Sequence, residues 1–82
     1  MMATLSLFVA RAEALAVSSC STRQPLDRAA ADDAIRTSVL AHHGVRGCAA
    51  ELAREFGDHP ELAAARMRWA RHAIETIYSK AS

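Results

Sequence analysis

Aromatic side chains are scarce in this sequence, with two phenylalanines, one tryptophan and one tyrosine among 82 residues. Glycine and proline number three and two, and neither an internal repeat nor a low-complexity tract is present, which excludes a repeat architecture. Nineteen residues are alanine, so the core is expected to consist mainly of small side chains that let helices pack closely. A chain of this length supports a single domain, 1–82.

Cysteines and long apolar runs are also few. Cys20 and Cys48 lie far apart in the sequence, without the paired spacing of a zinc site or the regular spacing of a disulfide scaffold, so both are excluded. Two such cysteines favour a reducing cytoplasm. No stretch approaches the ~20 apolar residues that span a bilayer, so no membrane partner is expected. The net charge of +1 provides no long-range field to draw the molecule to nucleic acid, and any such binding must be local.

Apolar residues recur at helical spacing in four segments, which predicts an all-α, compact four-helix domain. The predicted helices cover residues 3–17, 26–42, 45–56 and 60–79. They divide into an N-terminal helix with a polar linker, 1–25, and a three-helix core, 26–79. The core side chains are expected to be Phe8, Leu15, Ile35, Val39, Leu52, Phe56, Leu62, Trp69, Ile74 and Ile77.

Glycine and proline mark the predicted helix ends. Pro25 suits the first turn of the second helix, and Gly44 is expected to end that helix. Gly57 is expected to stop the third helix. Asp58 and Pro60 then form a start signal for the fourth, with the aspartate as the cap and the proline in the first turn.

The first predicted helix has apolar residues on two sides. Leu7, Ala14 and Val17 form a second strip beside the one that faces the core. A small domain with such a helix can gain stability by pairing. We therefore expect a homodimer, formed through this helix or through the broad apolar face of the fourth helix, or else a complex with another protein.

The segment from Cys48 to Trp69 resembles a helix-turn-helix unit, in which a short helix leads through a tight turn into a second helix. The resemblance rests on Ala53 and Gly57, four residues apart, with Leu52 and Phe56 as inward-facing positions. It implies DNA binding by a hairpin over residues 48–71. The same pattern is also typical of an ordinary helical hairpin that ends its first helix with glycine.

Basic residues cluster in the same half of the chain. The candidates for contact with nucleic acid or another anion are Arg46, Arg54, Arg68 and Arg71. Acidic residues are interleaved with them, and pairs such as Glu61 with Arg68 suit a solvated helix face equally well.

Arg66 does not fit the pattern of its helix, because a helical wheel places it among apolar residues. A charged group in that position needs water or a partner. Its stem could carry the guanidinium to solvent, it could form a buried ion pair with an acid on a neighbouring helix, or it could contact a ligand or partner protein.

Metal-binding and catalytic patterns are missing. His42 and His43 are adjacent and therefore point in different directions on a helix, so no metal site is predicted. Cys48, at the edge of an apolar stripe, is expected to be a small buried hydrophobe, with redox sensing as the alternative. No nucleophile motif, phosphate loop or cofactor fingerprint occurs. The sequence predicts a non-enzymatic regulatory or protein-interaction module without a cofactor.

Overall fold

The computed structural model describes the main chain of residues 2–79 and the side chains of residues 7–79. Four α-helices and no strand occur within that range, which confirms the predicted all-α class. The helices are α1 (Met2–Ala16), α2 (Arg28–Ala41), α3 (Val45–Asp58) and α4 (Pro60–Tyr78). Residue 1 and residues 80–82 of the predicted domain lie outside the described part.

Helix α1 is central to the fold and contacts each of the other three helices. Of the ten buried hydrophobic residues among those described, four belong to this helix, namely Ala12, Ala14, Leu15 and Ala16. The core is therefore not confined to residues 26–79. Packing on several sides also accounts for the two apolar strips of α1, since Ala14 of the second strip is fully buried, although Leu7 stays 54% exposed.

Small side chains dominate the core, as the composition predicts. Six of the ten buried hydrophobic residues are alanines, and the largest fully buried side chains are Leu15, Ile74 and Cys48. Alanine lets helix axes approach closely, and larger side chains such as Phe8, Met67 and Trp69 pack half-buried against this core.

The predicted core list is correct for Leu15, Leu52 and Ile74, which are buried. The other predicted side chains are half-buried or exposed; Phe8, Ile35, Val39, Trp69 and Ile77 are the half-buried ones. The prediction is wrong for Phe56 and Leu62, which are 40% and 59% exposed. They lie at the α3–α4 junction, where the neighbouring inward positions are taken by Leu52 and Ala63.

Helix α2 begins two residues later than predicted because Asp27 caps it. The Asp27 Oδ1 atom accepts the main-chain N–H of Ala30 at 2.8 Å, which satisfies one of the free donors of the first turn. Pro25 and Leu26 consequently belong to the linker between α1 and α2 and not to the helix.

The end of α2 is closed by its own main chain. The N–H of Gly44 donates to the carbonyl oxygen of Val39 at 2.8 Å, and the N–H of His43 donates to that of Leu40 at 3.4 Å. This pair of bonds is the Schellman arrangement, which places the residue after the cap at positive φ. His43 has that conformation, at φ 67°, and Gly44 follows at φ 114°.

Gly47, in the first turn of α3, packs directly against the end of α2. A Cβ atom at this position would lie 1.5 Å from the carbonyl oxygen of His42. Only glycine therefore permits this close approach of the two helices.

Helix α3 runs through Gly57 and ends at Asp58, so the prediction that Gly57 stops it is wrong. Asp58 does not cap α4 either, because its carboxylate accepts a hydrogen bond from Arg54 within α3. His59 takes the capping position without a side-chain bond, and Pro60 opens α4 as predicted. A single residue thus connects the two helices.

Candidate functional site

Arg66 on α4 reaches the end of α1 and binds main-chain oxygens there. Its Nε donates to the carbonyl oxygen of Ala16 at 2.9 Å, and its Nη1 to that of Cys20 at 2.7 Å. Its Nη2 donates to the carbonyl oxygens of Ser18 at 2.9 Å and Leu15 at 3.3 Å. The planar guanidinium, with five donors, suits this task. We call Arg66 and these four oxygens the Arg66 clamp.

The clamp differs from all three environments that the sequence suggests for Arg66. The side chain is half-buried, makes no ion pair with any described residue, and stacks with its Cζ 4.8 Å from the centre of the Trp69 ring. Burial lowers the pKa of Arg66 from its usual value, whereas the negative end of α1 favours its charge. One signal points to the clamp: no glycine follows Ala16 to close the helix end by a Schellman turn, and the local donors of Val17 and Ser18 reach only the carbonyl oxygens of Glu13 and Leu15.

Two open cavities lie on either side of the Arg66 clamp, and Leu62 and Arg66 line both. The first cavity, of about 190 Å³, lies between the end of α1, α3 and α4, and it is lined by Ala16, Val17, Ser18, Glu51, Leu52, Glu55, Leu62, Ala63 and Arg66. The second, of about 490 Å³, lies between the linker and α4, and it is lined by Ser21, Thr22, Arg23, Leu62, Ala65, Arg66 and Trp69. We call the residues of both cavities together the Leu62 surface.

Arg54, a predicted anion contact, is bound by carboxylates of its own helix. Its Nε donates to Glu51 at 3.2 Å and its Nη1 to Asp58 at 3.1 Å, while Glu55 lies 3.5 Å from its Nη2. The hydrogen bond from Arg54 lowers the pKa of Glu51, and the same bond raises the pKa of Arg54. Because three carboxylates surround one guanidinium, this end of α3 is acidic.

The other three predicted anion contacts are exposed, and no described acid pairs with them. Arg68 and Arg71 lie three residues apart on α4 and are therefore neighbours on its surface. Arg46 lies in the first turn of α3. Neither Glu61 nor Glu75 forms an ion pair with Arg68 within the described residues, although the sequence allows both.

The residues that carry the helix-turn-helix resemblance do not have the surroundings that the resemblance implies. Leu52 is buried, but Ala53 and Phe56 are exposed, so the alanine does not mediate close packing of two helices. Gly57 lies inside α3 and has no neighbouring atom within 4 Å of a Cβ position. It is neither the turn residue nor a point of close approach.

A second polar cluster, not found from the sequence, joins α1, α2 and α4. The guanidinium groups of Arg11 and Arg28 lie 4.1 and 4.4 Å from the centre of the Tyr78 ring. The Tyr78 hydroxyl donates a hydrogen bond to Asp32, which also pairs with Arg28 at 3.6 Å. Burial raises the pKa of Tyr78, and the bond to Asp32 raises it further. The cluster ties helix ends together through cation–π contacts.

Cysteine and histidine side chains do not assemble into a reactive centre in the described part of the chain. Cys48 is fully buried, and its thiol donates to the carbonyl oxygen of Ser38 at 3.6 Å, as expected for a structural cysteine. Cys20 and Cys48 are both free thiols. His42 is the C-cap of α2. Among residues 7–79, no three histidine, cysteine or acidic side chains lie close enough together to hold a metal ion.

None of the four helices, over residues 2–79, combines the length and hydropathy needed to cross a bilayer. The chain matches no protein-family model, no curated protein and no solved structure. Its function must therefore be argued from the Leu62 surface and the charges around it.

Proposed function

We propose that this chain is a small, non-enzymatic protein-interaction module that pairs with a second copy of itself through the Leu62 surface. The observation that carries the proposal is the 59% exposure of Leu62, which stands between two cavities instead of in the core. An apolar side chain flanked by open cavities offers both a projection and the recesses that receive one, as protein interfaces require.

The Arg66 clamp supports the same proposal because it fixes the shape of this surface. Four hydrogen bonds hold the turn after α1 against α4, and that turn forms a wall of both cavities. A surface that is already ordered loses less conformational entropy when a partner binds.

The two free cysteines of the chain, Cys20 and Cys48, suit a reducing compartment such as the cytoplasm.

The described side chains of helix α1, from Leu7 onward, offer less surface for pairing than the sequence suggests. From Ala10 to Ala16 its side chains are buried or half-buried, and Leu7 and Val9 are the exposed large apolar residues of its described part. We therefore place the pairing surface at the start of α4 rather than on α1.

Analytical ultracentrifugation over a range of concentrations tests the proposal. The wild-type chain is expected to shift from monomer toward dimer mass as its concentration rises, and Leu62→Glu is expected to remain monomeric. The matched control is Leu40→Glu, because Leu40 is 73% exposed but lies on α2, outside both cavities; this variant is expected to behave as wild type. A wild-type chain that is monomeric at every concentration would overturn the proposal.

Duplex DNA is the second candidate partner, and one observation favours it. Arg46, Arg68 and Arg71 are exposed and not paired with any described acid, so their charges are available to phosphate groups. Fluorescence anisotropy with a labelled random-sequence duplex at low salt tests this candidate. Binding that weakens in Arg68→Ala/Arg71→Ala and at higher salt would support it, and undetectable binding at low salt would eliminate it.

A further inference from the structure

We propose, on the basis of the function proposed above, that two copies pair about a two-fold axis near Leu62, so that Arg23 of each copy meets Glu55 of the other. The inference specifies the partner's orientation and the charge pair that sets it.

The Leu62 surface carries opposite charges at its two ends. Glu55 lines the first cavity, and it belongs to the acidic end of α3, where three carboxylates share Arg54. Arg23 lines the second cavity, is exposed, and has no ion pair with any described residue. Leu62 and Arg66 line both cavities and therefore lie between the two charges, but the donors of Arg66 are taken by the four oxygens of the clamp.

Glu55 is the acid best suited to an external partner. Arg54 makes two hydrogen bonds to Glu51 and one to Asp58, whereas its approach to Glu55 is a 3.5 Å contact without a hydrogen bond. Glu55 is half-buried at the edge of a cavity, so a partner that covers the cavity would also exclude water from the new ion pair.

A two-fold axis exchanges the two ends of a surface. Around an axis near Leu62, the basic end of one copy therefore faces the acidic end of the other, and the same pair forms twice. The two Leu62 side chains meet near the axis. A uniformly acidic or basic partner would match one end and repel the other, whereas a second copy matches both ends.

Charge reversal provides the test, read as the dimer dissociation constant by analytical ultracentrifugation. Arg23→Glu and Glu55→Arg are each expected to weaken self-association about tenfold or more, because each places like charges together twice. The double variant Arg23→Glu/Glu55→Arg restores both pairs with the signs exchanged, and it is expected to recover most of the lost affinity.

Arg68→Glu is the control, since Arg68 is an exposed arginine of α4 outside both cavities; it is expected to leave the dissociation constant within about twofold of wild type. Circular dichroism of each variant confirms the fold. If a reversal variant does not fold, the neutral variants Arg23→Gln and Glu55→Gln replace it, and each should weaken pairing to the same extent as their combination.

The outcomes separate the two proposals. A wild-type chain that never pairs overturns both. If the wild type pairs and Leu62→Glu abolishes pairing, but the single reversals have no effect or the double variant pairs no better than either, the two-fold arrangement is overturned and the interaction surface stands. Added sodium chloride gives an independent measurement, because the arrangement requires affinity to fall as salt screens the two pairs, and a flat salt dependence contradicts it.

Discussion

The ends of α1 and α2 meet the same requirement by different means. Each helix finishes with carbonyl oxygens that have no partner within the helix. At the end of α2, the N–H groups of His43 and Gly44 turn back to bind two of these oxygens. At the end of α1, the side chain of Arg66 binds oxygens of the last residues and of the turn that follows.

The difference separates local from long-range stabilisation. The α2 end uses residues within five positions of each other, so it can form before the rest of the chain has folded. The α1 end also has local bonds, from the N–H and Oγ of Ser18 to the carbonyl oxygen of Leu15, but its four bonds from Arg66 come from about 50 positions away and exist only when α1 and α4 are packed. The first end is therefore expected to tolerate loss of tertiary structure, whereas the second should lose these four bonds with it.

The largest expected effect comes from removing the clamp. Arg66→Ala is expected to lower the free energy of unfolding by about 3 kcal/mol, because it removes the charged donor to four carbonyl oxygens, of which only that of Leu15 keeps bonds from Ser18, and leaves a gap beside Trp69. Arg66→Lys keeps the charge but cannot bind four oxygens in one plane, so an intermediate loss is expected. Urea unfolding followed by circular dichroism measures both.

Arg54→Ala is the control for this experiment. Arg54 is an exposed arginine with several ion pairs, all within its own helix, and water and salt screen such pairs so strongly that a much smaller loss than for Arg66→Ala is expected. Equal losses for Arg66→Ala and Arg54→Ala would show that the clamp adds nothing beyond an ordinary surface arginine, and the contrast between the helix ends would then fail.

Gly47→Ala tests the α2 end from the other side of the turn. The added Cβ would overlap the carbonyl oxygen of His42, which is main chain and cannot move freely, so a loss of about 3 kcal/mol is expected. Gly57→Ala is the control, because Gly57 lies in α3 with open space around it and should gain up to about 1 kcal/mol. An unchanged free energy of unfolding for Gly47→Ala would show that the turn moves at little cost to accommodate the added Cβ. Thermal or urea unfolding provides the measurement.

His43→Gly is expected to have the smallest effect, and it should raise the free energy of unfolding instead of lowering it. His43 has a φ of 67°, which costs a side-chain-bearing residue about 1–2 kcal/mol, whereas glycine takes this conformation freely. After allowing for the greater entropy of glycine in the unfolded chain, a gain of about 0.5–1 kcal/mol is expected. His42→Gly, at φ −106°, should instead lose stability. A loss from His43→Gly would show that its side chain stabilises the turn.

Local signals in the sequence predict most of the fold. Apolar periodicity predicts all four helices, and Gly44 and Pro60 mark the turns that they occupy in the structure. Gly57 fails as a stop because nothing after it requires a positive φ, and Asp58 fails as a cap because Arg54, one turn earlier, binds its carboxylate. Where a side chain has two possible local partners, as Asp58 has, the sequence alone does not show which hydrogen bond forms.

The candidate site is less predictable because it depends on how distant segments meet. Arg66 stands out in the sequence as a misplaced charge, but its partners are main-chain oxygens, which leave no trace in residue identity. Leu62 has the spacing of a core residue and nevertheless is 59% exposed at the α3–α4 junction. Arg23 lies in a polar linker with no pattern of its own.

The central position of α1 affects how the protein folds during its synthesis. Helix α1 is synthesised before the other three helices, and the Ala70 and Ile74 side chains that pack with it in the core follow more than 50 residues later. Until they emerge, only α2 and α3 can cover part of the apolar surface of α1, and a helix of this length is unstable alone in water. Complete folding is therefore expected to wait for α4, which leaves part of α1 open to chaperones and proteases during synthesis.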